Sequence, residues 1–156
     1  MEGKQRLETL LSDNHAAYQV HHHPRAFTAQ EMAAAEHVPG RTVGKTVIVA
    51  ADEEPAMVVV PAPSTVDLDK VAAALNASEA RLAREEEFES LFPGCDTGAM
   101  PPFGNDTLYD VPVVVDRDLS EQPEVAFNAC THTDTIHLSY ADFERLVKPA
   151  VADVSE

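Results

Sequence analysis

One lysine lies in a valine-rich predicted strand, and the alternation of side chains along this strand could place its ammonium in a pocket. Lys45 lies within residues 42–49, and on a strand it would share one face with three valines. A lysine in such a row either extends its ammonium to the rim of the sheet or directs it into a pocket. Inside a pocket, the ammonium could stabilise a phosphate or a developing oxyanion. The chain has only four lysines, and the other three lie in or beside predicted helices, so the pattern favours a special role for Lys45.

A loop rich in glycine and proline is the second candidate. Residues 92–104 contain three glycines and three prolines. Glycine allows positive φ and a close approach of the backbone to a ligand, whereas proline fixes φ and removes an amide donor. Such a rigid loop either makes a sharp structural corner or cups a small polar ligand with its free N–H groups. The loop alone leaves both interpretations open.

Two familiar reactive motifs do not fit. Gly44, Lys45 and Thr46 could end a phosphate-binding P-loop, but Pro39 stands where that motif needs its first glycine. A strand rather than a helix is also predicted to follow, so nucleotide hydrolysis is excluded. No serine lies in a Gly-x-Ser-x-Gly elbow, and the sequence does not support covalent catalysis.

The histidines and cysteines give no clear metal or redox motif. None of the seven histidines belongs to a metal-binding pair in a helical setting, so we expect neither a metal nor a cofactor. His132 lies in a predicted turn and His137 on a predicted strand, and each is either a surface or a pocket histidine. Cys95 and Cys130 lack the Cys-x-x-Cys spacing, and we expect two free thiols rather than a disulfide or a zinc site.

The charge of the chain excludes several classes of partner. The 156 residues include 11 basic and 27 acidic ones, which gives a net charge of −16. A general nucleic-acid binder would show a basic stripe, so we expect no DNA binding, and an anionic membrane surface would repel this chain. The first residues lack the pattern of a signal peptide, and no apolar run approaches the ~20 residues of a membrane span. We therefore expect a cytoplasmic protein.

Periodicity and capping signals predict the elements that hold Lys45 and the loop. We predict helices over residues 4–11, 28–37, 68–75, 85–91 and 140–147. We predict strands over residues 18–23, 41–50, 57–62, 80–83, 111–115, 124–130 and 135–139. The helix starts are indicated by a capping box at residues 28–31, with Phe27 and Met32 as a hydrophobic staple, and by the caps Asp67 and Ser139.

This order of elements predicts a single α+β domain. Helices and strands alternate early and strands cluster late, which is typical of a strongly curved mixed sheet. The domain would cover residues 1–150, with residues 1–19 as an N-terminal helical extension and residues 151–156 as a tail. Pro112 indicates that its strand begins at the edge of the sheet, and residues 52–55 are expected to form a hairpin loop.

The order and spacing of four motifs resemble the YbaK/ProX-type aminoacyl-tRNA deacylase family, whose domain is also inserted in bacterial prolyl-tRNA synthetases. The motifs are the strand around Lys45, the turn at residues 98–102 that runs into Phe103 and Gly104, and residues 111–116 and 127–133. The similarity runs from His22 to Lys148. The resemblance implies a mixed, barrel-like β-sheet flanked by helices.

The resemblance also implies site residues. Lys45 would be the central catalytic residue, and residues 98–102 would form a wall of the pocket. The substrate-binding residues would be Thr46, Gly98, Ala99, Met100, Pro101, Pro102, Phe103, Gly104, Thr131 and His132. The sequence departs from the family pattern at Cys130, where glycine is expected beside the pocket.

The reaction implied is hydrolysis of the ester that joins an amino acid to the terminal ribose of tRNA, with alanine, serine, cysteine and threonine all candidates. Because this ester is already activated, positioning and charge stabilisation can suffice. The acidic chain would contact only the tRNA acceptor end, through a patch of Arg25, Arg41 and Lys45, or would receive the tRNA from a synthetase or elongation factor. Two alternatives stay open: a non-catalytic module that binds an aminoacyl group, a free amino acid or a partner protein, and, ranked lower, a metal-dependent hydrolase.

Overall fold

Eight strands and six α-helices make up the regular structure of the part of the chain that is described. The computed structural model describes residues 3–25, 29–36 and 39–156. The helices are α1 (Gly3–Asp13), α2 (Ala29–Glu36), α3 (Leu68–Ala74), α4 (Glu85–Phe88), α5 (Arg117–Ser120) and α6 (Tyr140–Val147). The strands are β1 (Tyr18–His22), β2 (Gly44–Ala51), β3 (Glu54–Pro61), β4 (Ala80–Leu82), β5 (Val113–Asp116), β6 (Glu124–Asn128), β7 (Asp134–Ser139) and β8 (Ala150–Ala152).

These strands form two sheets. One has the order β4-β2-β3-β5-β8, in which β2 is antiparallel to β3 and β4 while β5 is parallel to β3 and β8. The other is antiparallel, with the order β1-β7-β6, and an isolated parallel bridge between Val43 and Ala126 links the two. This confirms the mixed α+β single domain. The described strands do not close into a barrel, so the expected barrel-like shape is not confirmed.

The hairpin of β2 and β3 is set by a two-residue turn. Asp52 and Glu53 both have positive φ, 49° and 69°, which suits the right-handed twist of a tight hairpin. The Asp52 carboxylate accepts hydrogen bonds from the backbone N–H of Ser78 and Glu79, at distances of 3.0 to 3.2 Å. The loop expected over residues 52–55 is therefore shorter, because β3 already begins at Glu54.

The alternation of β2 divides its side chains between two hydrophobic cores. Ile48 packs in the larger core, which also contains Leu7, Leu11, Phe103, Phe127 and Phe143. Val49 packs in the smaller core, which also contains Val58, Val71, Val114 and Val154. Since neighbouring residues of a strand face opposite sides, Lys45 lies on the face of the smaller core and Thr46 on the face of the larger one.

The predicted caps at Asp67 and Ser139 are confirmed. The Asp67 carboxylate accepts hydrogen bonds from the N–H groups of Asp69 and Lys70, and the Ser139 hydroxyl accepts one from Asp142. These bonds satisfy amides that have no partner within the first turn of a helix. The capping box and staple expected at the start of α2 depend on residues 26–28, which lie outside the described residues.

Two local expectations are corrected. β2 begins at Gly44 rather than at residue 41, because residues Gly40–Thr42 form a 3₁₀ turn. The strand after Pro112 is not at an edge, because β5 lies between β3 and β8. Pro112 can precede an internal strand because its carbonyl still accepts a hydrogen bond from the N–H of Met57, at 2.8 Å.

The C-terminal segment, expected to be a tail, packs against the domain. It contains β8, and Val154 is completely buried. The carboxylate of Asp116, only 1% exposed, accepts a hydrogen bond from the Val154 N–H at 3.0 Å. The short strand and the single buried valine are held by these non-local contacts rather than by a local pattern. Among the described residues, no helix combines the length and apolar character needed to cross a membrane.

Candidate functional site

Lys45 is half-buried near the start of β2. It pairs with Val60 of β3, and its Nζ donates a hydrogen bond to the carbonyl oxygen of Ser64 at 2.6 Å. A turn closed by the Ser64 N–H and the Pro61 carbonyl, 2.9 Å apart, brings this carbonyl back towards β2. Partial removal from water disfavours the charged form, so burial lowers the pKa of the Lys45 ammonium.

A cavity of about 240 Å³ lies beside this ammonium. Among the described residues, it is lined by Lys45, Val47, Thr65, Val66, Leu68 and Leu82. All of them except Lys45 and Thr65 are apolar, so the cavity can hold a small, largely apolar group next to a positive charge.

The C-terminal segment supports one wall of this cavity. The N–H of Asp67 donates to the carbonyl of Val154, and the N–H of Glu156 donates to the carbonyl of Thr65, both at 2.9 Å. An antiparallel bridge between Val66 and Ser155 lies between these two bonds. The wall formed by residues 65–68 is therefore held in place by residues 154–156. The sequence analysis missed this wall, although Pro61 at the end of β3 and Pro63 after it indicate that the chain turns there.

The loop at residues 92–104 is mostly a packed corner. Of the predicted substrate-binding residues 98–104, only Gly98 is exposed, and Ala99 and Phe103 have no exposed surface. A Cβ on Gly104 would lie 2.2 Å from the carbonyl oxygen of Val111, so this glycine is required by the close approach of two backbone segments. Gly98 has a φ of 88° and faces the His132 ring, whose Cε1 would lie 3.6 Å from an added Cβ.

His132 and Thr131 lie in the turn between β6 and β7, next to this loop. The His132 ring is buried, and its Nε2–H donates to the carbonyl oxygen of Thr97 at 3.0 Å. The Thr131 hydroxyl donates to the Asp134 carboxylate at 2.7 Å. The structure thus brings Gly98, Thr131 and His132 to one place.

The expectation of two free thiols is wrong, because Cys95 and Cys130 form a disulfide. Two backbone hydrogen bonds hold their segments together: Asp96 N–H donates to the Cys130 carbonyl at 2.8 Å, and Cys130 N–H donates to the Ala99 carbonyl at 3.0 Å. Cys130 also has a φ of 73°, in the region that favours glycine. This backbone conformation explains why the family pattern leads us to expect glycine there.

The structure separates the predicted site residues into two groups. Lys45 lies at its cavity, and residues 98–104, Thr131 and His132 are not among the described residues that line it. Thr46 follows Lys45 in β2 but faces the other side of the sheet, towards the larger core. A single pocket that combines Lys45 with residues 98–102 therefore stays a prediction of the family resemblance.

The Asp134 carboxylate ties together three parts of the second group. It accepts hydrogen bonds from Lys4 Nζ at 3.3 Å, from His22 Nδ1–H at 3.2 Å and from the Thr131 hydroxyl at 2.7 Å. Burial raises the pKa of Asp134, but the hydrogen bonds from Thr131 and His22 and the charge of Lys4 outweigh burial and leave this pKa below its usual value. Asp134 therefore positions the turn that carries Thr131 and His132.

Replacing Asp134 with asparagine is expected to destabilise the protein in a pH-dependent way. A carboxyl whose pKa is lowered by folding adds stability above its ordinary pKa of ~3.9, and this stability is lost as the pH falls through the folded pKa. We expect the variant to lose about 1.5–3 kcal/mol at pH 7, as for hydrogen bonds to a charged group, and a smaller amount at pH 3. Urea unfolding at both pH values measures this, with the exposed Asp69→Asn as the control. An equal loss at both pH values would contradict the assigned role of the charge.

Comparison with known proteins gives both a family match and a fold match. Residues 23–146 match the family model of the aminoacyl-tRNA editing domain. The solved structure of hypothetical protein APE2540 is similar, with a TM-score of 0.85 and 24% identity over 97% of this chain and 99% of that chain. A protein described as a "putative trans-editing enzyme for prolyl tRNA synthetase" has a TM-score of 0.83 and 23% identity over 100% of this chain and 98% of that chain. At these identities the two structures show a shared fold. A search of curated proteins finds no match.

Proposed function

Since this chain belongs to the aminoacyl-tRNA editing domain family, we propose that it is a hydrolase that removes the amino acid from mischarged tRNA. Membership confirms the resemblance that the four sequence motifs indicated. The observation that carries the catalytic proposal is the half-buried ammonium of Lys45 beside a small apolar cavity. The family supports an editing role in general, and the activity of this chain and the roles of its residues are our proposal.

Lys45 would supply the charge that this reaction needs. An ammonium has three N–H donors, and one of them is held by the Ser64 carbonyl at 2.6 Å. The other two can donate to a phosphate of the acceptor end or to the ester carbonyl as it becomes an oxyanion. Because the ammonium is partly removed from water, its interaction with such a charge is stronger than at an open surface.

The cavity would hold the side chain of the amino acid. Its volume of about 240 Å³ and the apolar side chains of Val47, Val66 and Leu68 suit a small residue. The steric limit would reject larger side chains, whereas one methylene more or less changes binding by only ~1–3 kcal/mol. Alanine, serine, cysteine and threonine esters therefore all stay candidates.

A water molecule would attack the ester carbonyl, and the bond from this carbon to the ribose oxygen would break. The products are the free amino acid and tRNA with its ribose hydroxyl restored. Among the described residues that line the Lys45 cavity, none is a carboxylate or an imidazole. Water activation would therefore rely on the substrate, whose neighbouring ribose hydroxyl can assist. The same lack of a base favours one alternative, a module that binds an aminoacyl group without turnover.

The contact with tRNA would be limited to the acceptor end. Arg41 lies in the 3₁₀ turn directly before β2, so it is close in sequence to Lys45 and shares its end of the strand. With a net charge of −16, a larger interface with nucleic acid would be repelled. If Arg41 and Lys45 each contact one phosphate of the single-stranded acceptor end, the logarithm of the binding constant should fall with the logarithm of the salt concentration with a slope of only about −1.4. We therefore expect tRNA binding to depend weakly on salt, unless a synthetase or elongation factor delivers the tRNA.

A deacylation assay tests the proposed function. Purified protein is mixed with Ala-, Ser-, Cys-, Thr- and Pro-charged tRNA at low and high salt, with and without a chelator. We expect rapid loss of one or two of the small esters, with no effect of the chelator. Binding of charged tRNA without turnover on any member of the panel would replace the enzyme with the binding module. Loss of activity with the chelator would point to a metal-dependent hydrolase.

A further inference from the structure

The disulfide between Cys95 and Cys130 joins the two segments that hold most of the predicted substrate-binding residues. Cys95 lies in the loop at residues 92–104, and Cys130 lies in the turn that also carries Thr131 and His132. Besides the disulfide, the two segments share three hydrogen bonds, all close to Gly98. A covalent bond at this place therefore decides how firmly Gly98 is held against His132.

The two cysteines differ in their exposure to solvent. Cys130 is only 1% exposed, whereas Cys95 is partly exposed. Since Cys95 is the more exposed residue, we expect an attacking thiolate to approach the disulfide from the side of Cys95. Attack at Cys95 makes Cys130 the leaving group, so the environment of Cys130 decides how easily the bond opens.

Two features would stabilise a thiolate at Cys130. The hydroxyl of Tyr109 lies 2.9 Å from Cys95 Sγ and 3.6 Å from Cys130 Sγ, where it can donate a hydrogen bond to the released sulfur. Burial raises the pKa of Tyr109 to about 12, so this hydroxyl keeps its proton near neutral pH. The first residue of α1 is also adjacent, because a Cβ on Gly3 would lie 2.7 Å from Cys130 Sγ and 2.9 Å from Cys95 Sγ. The N-terminal end of a helix favours negative charge nearby.

We infer that Cys95 and Cys130 form a thiol–disulfide switch, opened by a dithiol reductant at Cys95, that sets how firmly residues 92–104 are fixed against the turn at residues 129–133. The inference rests on the proposed function, because charged tRNA is a cytoplasmic substrate, and disulfides in that compartment are mostly transient or redox-sensing. This chain can form the disulfide because Cys130 stands where the family pattern leads us to expect glycine.

The chemistry balances with one dithiol. A thiolate of the reductant attacks Cys95 Sγ, the bond between the two cysteine sulfurs breaks, and its electron pair goes to Cys130 Sγ. The second thiol of the reductant then attacks its own mixed disulfide and releases Cys95 as a thiolate. Two electrons pass to the protein, the two cysteines become thiols after protonation, and the reductant becomes a cyclic disulfide.

The first test measures opening under native conditions. The folded protein is incubated with dithiothreitol, and alkylation followed by mass spectrometry counts the free thiols. We expect Cys95 to be labelled without denaturant and the buried Cys130 only after denaturation, and a reduction rate several-fold lower in Tyr109→Phe, which cannot donate to the leaving sulfur. If both sulfurs resist labelling until the protein unfolds, the disulfide is purely structural and the switch is excluded.

The second test measures the loop. Hydrogen exchange of residues 92–104 is compared between the oxidised and reduced wild-type protein, and in Cys130→Gly, which removes the sulfur and suits the positive φ at this position. We expect exchange to be about tenfold faster in the reduced protein and in the variant, and unaffected by reductant in the variant. Identical exchange in the oxidised and reduced protein would overturn the inference.

Neither test requires turnover of a tRNA substrate. A protein whose disulfide opens and whose loop loosens, but which hydrolyses no ester, would therefore refute the proposed function and not the switch.

Discussion

Replacing Lys45 with alanine is expected to lower the rate of ester hydrolysis by about 10²–10³-fold, the usual effect of losing one donor to a developing oxyanion. The variant should still fold, because Lys45 is only half-buried and its one hydrogen bond within the described structure goes to the backbone carbonyl of Ser64. The measurement is single-turnover deacylation of the best ester of the panel, with circular dichroism to verify the fold.

Two variants make this result specific. Lys148→Gly removes the same charge at an exposed position whose positive φ of 53° suits glycine, so we expect it to keep wild-type activity. Lys45→Arg keeps the charge but replaces a compact ammonium with a broad planar group, so we expect only partial activity. If Lys45→Ala stays within a few-fold of the wild-type rate, the proposed role of this lysine is wrong.

The pH profile adds an independent test of the charged form. The proposed mechanism needs the protonated ammonium, and burial lowers the pKa of Lys45 from its usual value. Enzymatic activity should therefore fall on the alkaline side, at a pH below the ordinary value of ~10.4 for a lysine. The spontaneous hydrolysis of the ester, which rises with pH, is subtracted by using Lys45→Ala as the blank.

Replacing Phe127 with alanine is expected to lower the free energy of unfolding by about 3–5 kcal/mol, the usual range for removal of a fully buried aromatic ring. Phe127 has no exposed surface, and its ring centroid lies 6.4 Å from that of Phe103 and 4.9 Å from that of Phe143. The ring also lies against Gly44, where an added Cβ would be 2.4 Å from it. Phe127 therefore packs β6 of one sheet against β2 of the other.

Urea unfolding of the oxidised protein measures this loss. The control is Val151→Ala, since Val151 is 41% exposed on β8 and its truncation should change stability by only about 0.5 kcal/mol. A loss below about 1 kcal/mol for Phe127→Ala would mean that the core closes around the missing ring with almost no residual cavity. Such a result would contradict the close packing described between the two sheets.

The sequence predicts features that depend on neighbouring residues. Asp67 and Ser139 are recognised as caps because their side chains bond to amides two or three positions ahead. The valine-rich run of β3 is predicted as a strand, and its side chains contribute to both cores. Helix α6 is predicted with both its ends, because it has a cap at its start and a proline soon after its end.

Features that depend on distant residues were missed. β8 has only three residues, and it is a strand because it lies parallel to β5. The disulfide was missed because the expected compartment argues against one, and no local spacing shows that residues 95 and 130 meet. The wall of the Lys45 cavity was missed for the same reason, since residues 65–68 are held by the end of the chain.

The pairing of β1 with β7 sets an order for folding during synthesis. Tyr18 pairs with Leu138, which is 120 residues further along the chain (138 − 18 = 120). At roughly 5–20 residues per second, a ribosome needs on the order of ten seconds to make that stretch. The hairpin of β2 and β3 can form early because its strands are adjacent in sequence, whereas β1 waits for its partner strand. The nascent chain therefore spends several seconds with the larger core incomplete, and during this time its high negative charge helps to keep it from aggregating.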